Sequence, residues 1–82
     1  MSTGSATITP AQCRMARAAL ELGVRELAAL AAVSAMTVTR FENGASKGYP
    51  DTLAKIRGAL EAAGVEFIPE NGGGAGVRLR KR

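Results

Sequence analysis

Between Ser34 and Gly44 the chain reads SAMTVTRFENG. Thr37, Thr39, Arg40 and Asn43 carry side chains that make directed hydrogen bonds: hydroxyls and an amide that donate and accept, and a planar guanidinium fork that only donates. Ala35 and Met36 add small and pliable apolar contact. A face meant only to solubilise a helix is richer in Glu and Lys. This one is suited to touching a partner. The chemistry is that of recognition rather than turnover. The chain has no histidine to serve as a general base, and it shows no convincing carboxylate pair and no phosphate loop. GGGAG at 72–76 lacks the lysine and following helix of such a loop and reads as a hairpin turn.

Composition narrows the class further. Eighty-two residues make one small domain. Its apolar content leans on alanine, with only two Phe and one Tyr, so the core is thin and an oligomer is expected. The absence of histidine and the lone Cys13 exclude zinc and other metal sites built from His and Cys, and no cofactor is expected. Cys13 reads as a small core residue rather than a redox switch. A single thiol suits a reducing cytoplasm. The N-terminus lacks the pattern of a signal peptide, and no apolar run approaches the roughly 18 residues of a membrane helix, so a cytoplasmic protein without membrane association is expected. The net charge of +4 resides in Arg78, Arg80, Lys81 and Arg82. That tail suits a polyanionic partner or simple solvation equally well.

Those recognition residues must be held by helices. Thr9 and Pro10 begin the first, with Cys13, Ala16 and Leu20 inside, Arg14, Arg17 and Glu21 off that stripe, and an end near Leu22 before Gly23. A second helix from Val24 buries Leu27, Ala28 and Ala31, leaves Leu30 outside, and leads through a short turn to Ser34. Ser34 caps the third, in which Val38 and Phe41 face inward and Asn43-Gly44 forms the stop. Pro50 and Asp51 begin the fourth, with Leu53, Ile56, Leu60 and Ala63 inside and Gly64 at its end. The period then shortens to two. Val65 and Phe67 on one strand, and Val77 and Leu79 on the next, form a two-stranded hairpin whose apolar face needs cover from its own helices or from a second chain. Arg78 and Arg80 share one side of the second strand, where phosphate contact and solvation are balanced readings.

The centre is thus helix, three-residue turn, helix, an arrangement that presents the start of its second helix to the DNA major groove. Thr can bond a base edge or phosphate, Met or Ala can touch a thymine methyl, and Arg can take guanine through two hydrogen bonds.

The segment ELAALAAVSAMTVTRFENG resembles the phage-repressor helix-turn-helix of the Xre/Cro-repressor family. The matching positions are Glu26-Leu27-Ala28, Val33-Ser34, Thr37-Val38 and Arg40 through Gly44. The remainder, IRGALEAAGVEFIPENGGGAGVRLRK, resembles short bacterial regulators that end in such a hairpin, so the likeness spans residues 12 to 81. It implies a mainly α fold: a four-helix phage-repressor-like domain over 9–64, after a flexible N-terminus at 1–8, with a C-terminal two-stranded β-hairpin and basic tail at 65–82 that dimerises through Val65, Phe67, Val77 and Leu79. It implies base contacts from Ala35, Met36, Thr37 and Arg40. Phosphate contacts would come from Arg14, Thr39, Asn43, Lys47 and the backbone N–H of Val24. Arg17 and Glu42 would form an internal ion pair between the first and third helices.

Two positions depart from the family pattern. Gly23-Val24 stands where a hydroxyl cap and a glutamine are usual, which removes one phosphate contact and lowers affinity modestly. Ala32 replaces a turn glycine, which predicts a strained or shifted turn. The resulting expectation is a non-enzymatic transcriptional regulator that binds double-stranded DNA as a homodimer on an inverted repeat. The alternative is an antitoxin or anti-activator that acts mainly on a protein partner.

Overall fold

The computed structural model describes residues 8–46 and 48–81. It is mainly helical: α1 (Pro10–Leu20), α2 (Val24–Ala31), α3 (Ala35–Glu42) and α4 (Pro50–Ala63), followed by β1 (Val65–Ile68) and β2 (Gly76–Leu79). Among the described residues, no helix is long and apolar enough to cross a membrane.

Local chemistry explains each helix end. Thr9 caps α1: its hydroxyl accepts the Gln12 N–H at 3.0 Å while the Gln12 carboxamide accepts the Thr9 N–H at 3.0 Å. This reciprocal pair satisfies two donors that a helix start leaves open. Ile8, just outside the cap, is buried with Cys13 in the core, in the positions used by a hydrophobic staple. Ile8, placed by expectation in a flexible segment, is thus part of the core. Residues 1–7 of that segment lie outside the described residues.

The far end of α1 also departs from expectation. The helix stops at Leu20, two residues early, because Glu21 takes the left-handed conformation (φ 59°, ψ 40°) and its N–H returns to Ala18 and Arg17 carbonyls. Gly23 is the N-cap of α2, as a glycine at that position permits, and its N–H donates to the Glu26 carboxylate at 2.7 Å. α2 ends the same way as α1: Ala32 sits at φ 60°, ψ 42°, the conformation anticipated for a glycine there. Ser34 accepts the Thr37 N–H at 3.0 Å and starts α3.

The core joins all elements. Cys13 and Ala16 of α1, Leu27, Ala28 and Ala31 of α2, Val38 and Phe41 of α3, and Leu53, Ile56 and Leu60 of α4 are buried together with Ile8 and Val65. α2 packs against α3 and α4, whereas α1 packs against α3, α4 and both strands.

The hairpin pairs antiparallel, with Val65 opposite Leu79 and Phe67 opposite Val77. Its apolar face covers the chain's own helices. Val65 is fully buried, and Phe67 and Val77 pack against the core. This corrects the expected dimer face: Val65 has no surface left to offer a second copy, Phe67 and Val77 keep only part of theirs, and Leu79 stays 57 % exposed. The two-stranded sheet gains the support it needs from within.

Gln12 reinforces that attachment. Its Nε2 donates to the carbonyls of Ile68 (3.1 Å) and Gly76 (3.0 Å), so one buried amide joins the α1 cap to the end of the hairpin. At the opposite end, the Arg80 N–H donates to the Gly64 carbonyl at 2.7 Å, and its guanidinium donates to the carbonyls of Glu61 and Val65. A cation thereby meets the open carbonyls that end α4. The strand stops at Leu79, so Arg80 is a helix cap rather than a strand neighbour of Arg78.

Two substitutions test this geometry. Ala32→Gly removes the clash of a Cβ in the left-handed region and raises stability by roughly 0.5–1 kcal/mol in urea unfolding. Gln12→Leu leaves the Ile68 and Gly76 carbonyls without their donor and lowers stability by about 2 kcal/mol. An unchanged urea midpoint for either variant contradicts the corresponding contact.

Candidate nucleic-acid interface

α3 has two faces of different character. Val38, Phe41 and Glu42 are buried. Met36, Thr39, Arg40 and Asn43 are exposed, and the three- and four-residue spacings place them on one outer stripe. Met36 is 62 % exposed, as its offset from Val38 and Phe41 predicts. Among the described residues, the Thr39 and Arg40 side chains make no intramolecular hydrogen bond. The two remaining expected base contacts are more constrained. Ala35 is half-buried and packs against the core. Thr37 is half-buried with its hydroxyl 2.8 Å from that of Ser34, so part of its bonding capacity serves the cap.

A charged cluster fixes α3 from behind. Glu42 is only 5 % exposed. Its two carboxylate oxygens receive Arg17 Nη2 and Nε, each at 2.7 Å, and Oε2 also accepts from the Cys13 thiol at 3.1 Å. Arg17 Nη1 donates to the Leu22 carbonyl at 3.1 Å. A single guanidinium therefore joins α1, the turn into α2, and the end of α3. The bidentate fork supplies direction as well as charge. The ion pair implied by the family likeness is present.

Electrostatics follow from this packing. Burial pushes the Glu42 carboxyl up. The hydrogen bonds from Arg17 and Cys13, with the charges of Arg17 and Arg14, outweigh it and hold the group below the ordinary carboxylate value. The hydrogen bond to Glu42 raises Arg17 further. Burial, and then the adjacent Glu42, push the Cys13 thiol up to about 12. It stays protonated and donates, as a core residue rather than a nucleophile.

The expected phosphate contacts divide. Asn43 is exposed at the end of α3. Val24 is half-buried against the core, but it opens an eight-residue helix whose cap makes no side-chain hydrogen bond, which leaves first-turn N–H groups free for an anion. Arg14 is exposed on α1, and its guanidinium also donates to the Glu42 main-chain carbonyl. It caps the C-terminus of α3 from α1, a role that spacing along α1 does not reveal. Lys47 lies outside the described residues. On the hairpin, Arg78 faces Glu66 at 2.7 Å, which uses one of the tail cations internally.

A groove that apolar spacing does not signal lies beside α3. Thr37, Arg40 and Phe41 of α3, Ser46 and Gly48 of the following loop, and Tyr49 and Thr52 at the start of α4 line its volume of about 290 Å³. Gly48 permits it: φ is +79°, and a Cβ there would lie 2.9 Å from the Leu53 Cδ2. Tyr49 is 78 % exposed. A large aromatic immediately before a helix-starting proline, in a chain so poor in aromatics, is the signal that marks it.

Comparison with protein-family models and with curated proteins finds no match for this chain. Among the described residues, no group of three acidic or thiol side chains could hold a metal ion.

Because Glu42 titrates lower in the folded chain than its ordinary 4.5, its contribution is complete above that pH and fades as pH falls through the lower folded-state value. Glu42→Gln should cost about 3 kcal/mol at pH 7, since it strips the counter-charge from Arg17. The stability curves of the two proteins should converge in acid. A gap that persists at low pH contradicts the charge argument.

Proposed function

We propose that this protein is a sequence-specific DNA-binding transcriptional regulator of the helix-turn-helix type, resembling the Xre/Cro-repressor family, with α3 as its reading helix. The observation that carries the reading is the contrast between the faces of α3: the inner one is locked by core contacts and the Arg17–Glu42 pair, and the outer one presents Met36, Thr39, Arg40 and Asn43. A helix pinned this way can present a guanidinium to a base edge with little loss of side-chain and backbone freedom. Asn43 and the start of α2 would meet flanking phosphates.

A homodimer on an inverted repeat fits a reading surface this short, because one helix spans only a few base pairs. Two-fold symmetry would set half-sites about 34 Å apart. Leu79 supports a second copy. It borders a shallow hollow formed with Leu20, Ala62, Ala63 and Gly64, a better candidate for self-association than the strand face already covered.

The protein-partner alternative draws on the 57 % exposed Leu30 and on the apolar Val24 at the start of α2. An enzymatic role has less support. The described groups with resolved titration shifts, Cys13, Arg17 and Glu42, are committed to one another.

Footprinting on DNA upstream of the protein's own gene would supply the operator, and anisotropy titrations then test the reading. Arg40→Ala should cost about 1–3 kcal/mol on that site and much less on random duplex. Equal weakening on both sequences would make Arg40 a phosphate contact only. Leu79→Glu should lower the sedimentation mass toward that of a monomer while keeping the helical spectrum. An unchanged mass would remove Leu79 from the interface.

A further inference from the structure

We propose that the groove between α3 and α4 is a binding site for a small aromatic phosphate ester, and that this ligand and duplex DNA compete for Arg40. The polar groups of the groove are the Arg40 guanidinium, the hydroxyls of Ser46, Thr37 and Thr52, and the Tyr49 phenol. Every one can donate, one carries a positive charge, and no carboxylate lines the groove among the described residues. Such a set matches an oxyanion.

The bonding already in place decides which donors are available. Thr37 is occupied with Ser34 at 2.8 Å, and Ser46 Oγ accepts the Gly48 N–H at 3.1 Å, which leaves the Ser46 hydroxyl proton free. Arg40 and Thr52 make no side-chain hydrogen bond among the described residues. The oxyanion therefore belongs to Arg40, Ser46 and Thr52. The accessible aromatic surface at the groove is the exposed Tyr49, while Phe41, 3 % exposed, only backs its floor. The Tyr49 ring suits a planar group rather than a bare ion. A volume near 290 Å³ stands at the small end of ligand sites, which favours a compact ester.

Competition follows from position, and it rests on the DNA-binding reading. Arg40 lies on the outer stripe of α3 and in the wall of the groove, and its guanidinium cannot serve a phosphate ester and a base edge together. The same phosphate chemistry is carried by the DNA backbone, so the test must separate the two sources.

The probe is phenyl phosphate, titrated into ¹⁵N-labelled protein without DNA. Amide signals of Gly48, Tyr49 and Thr52 and the Arg40 Nε–H should move and saturate, while Arg25 and Lys55 stay still. Arg40→Ala should weaken binding about tenfold or more, and Thr52→Val by less, both with spectra that retain the wild-type fold. In a second arm, phenyl phosphate should release bound DNA at concentrations where sodium chloride of equal ionic strength does not. Shifts that never saturate, or that survive Arg40→Ala, overturn the proposal. Movement of the groove signals with duplex but not with phenyl phosphate assigns the groove to the DNA backbone and equally overturns it. Absence of any DNA binding would defeat the functional reading and leave the first arm to decide the site.

Discussion

The bidentate contact between Arg17 and Glu42 is the constraint on which the arrangement of α3 depends. α3 is only eight residues long, too short to hold its shape alone in water. Val38 and Phe41, with Ala35 packed beside them, anchor its inner face along one line. The Arg17 guanidinium adds a fixed point off that line. It reaches from α1 to the far end of α3 and also holds the Leu22 carbonyl, so three segments share one rigid planar group. Arg14 adds a second tie to the same helix end. A buried ion pair is a weak source of net stability, because both charges lose water. Its value here is orientation: a surface helix whose angle is fixed can present side chains to a partner without ordering itself on contact.

The same economy appears at the hairpin. Two short strands are marginal alone, and this pair is held at both ends by side chains from helices or directed to them. Gln12 holds the turn end, and Arg80 holds the end that leaves the sheet. Between them the apolar face covers α1 and α4. The hairpin is therefore part of the core rather than an arm reaching outward, which is why Val65 cannot serve a second chain.

Much of this was legible in the residues. The inward positions of α2, α3 and α4 follow from apolar spacing, and the Ser34 cap and the Pro50 start follow from local chemistry. The outer position of Met36 came from the same periodicity. What periodicity misses is chemistry that ignores the stripe. Gln12 is polar and adjacent to an inward residue, so pattern alone exposes it; the Thr9-x-x-Gln12 spacing of a capping box was the available signal. The early end of α1 was hidden because Glu21, not a glycine, takes the left-handed conformation. Arg14 and Arg80 bind main-chain carbonyls on distant elements, a pairing for which side-chain spacing carries no information. The groove at Arg40 arises only when the loop after α3 folds back toward it, and Tyr49 alone hints at it.

The internal use of the arginines also changes what the chain's positive charge means. Arg17, Arg57 and Arg78 each face a carboxylate, and Arg14 and Arg80 are tied to main-chain carbonyls. Among the described residues, Arg25, Arg40, Lys55 and Lys81 are the cations without such a partner. A polyanion approaching this surface would displace few counterions, and each phosphate neutralised on duplex DNA adds only about 0.9 to the logarithmic salt slope. If the proposed DNA-binding reading holds, the described part of this surface would rely on close fit more than on long-range attraction, and its grip would fade gently as salt rises.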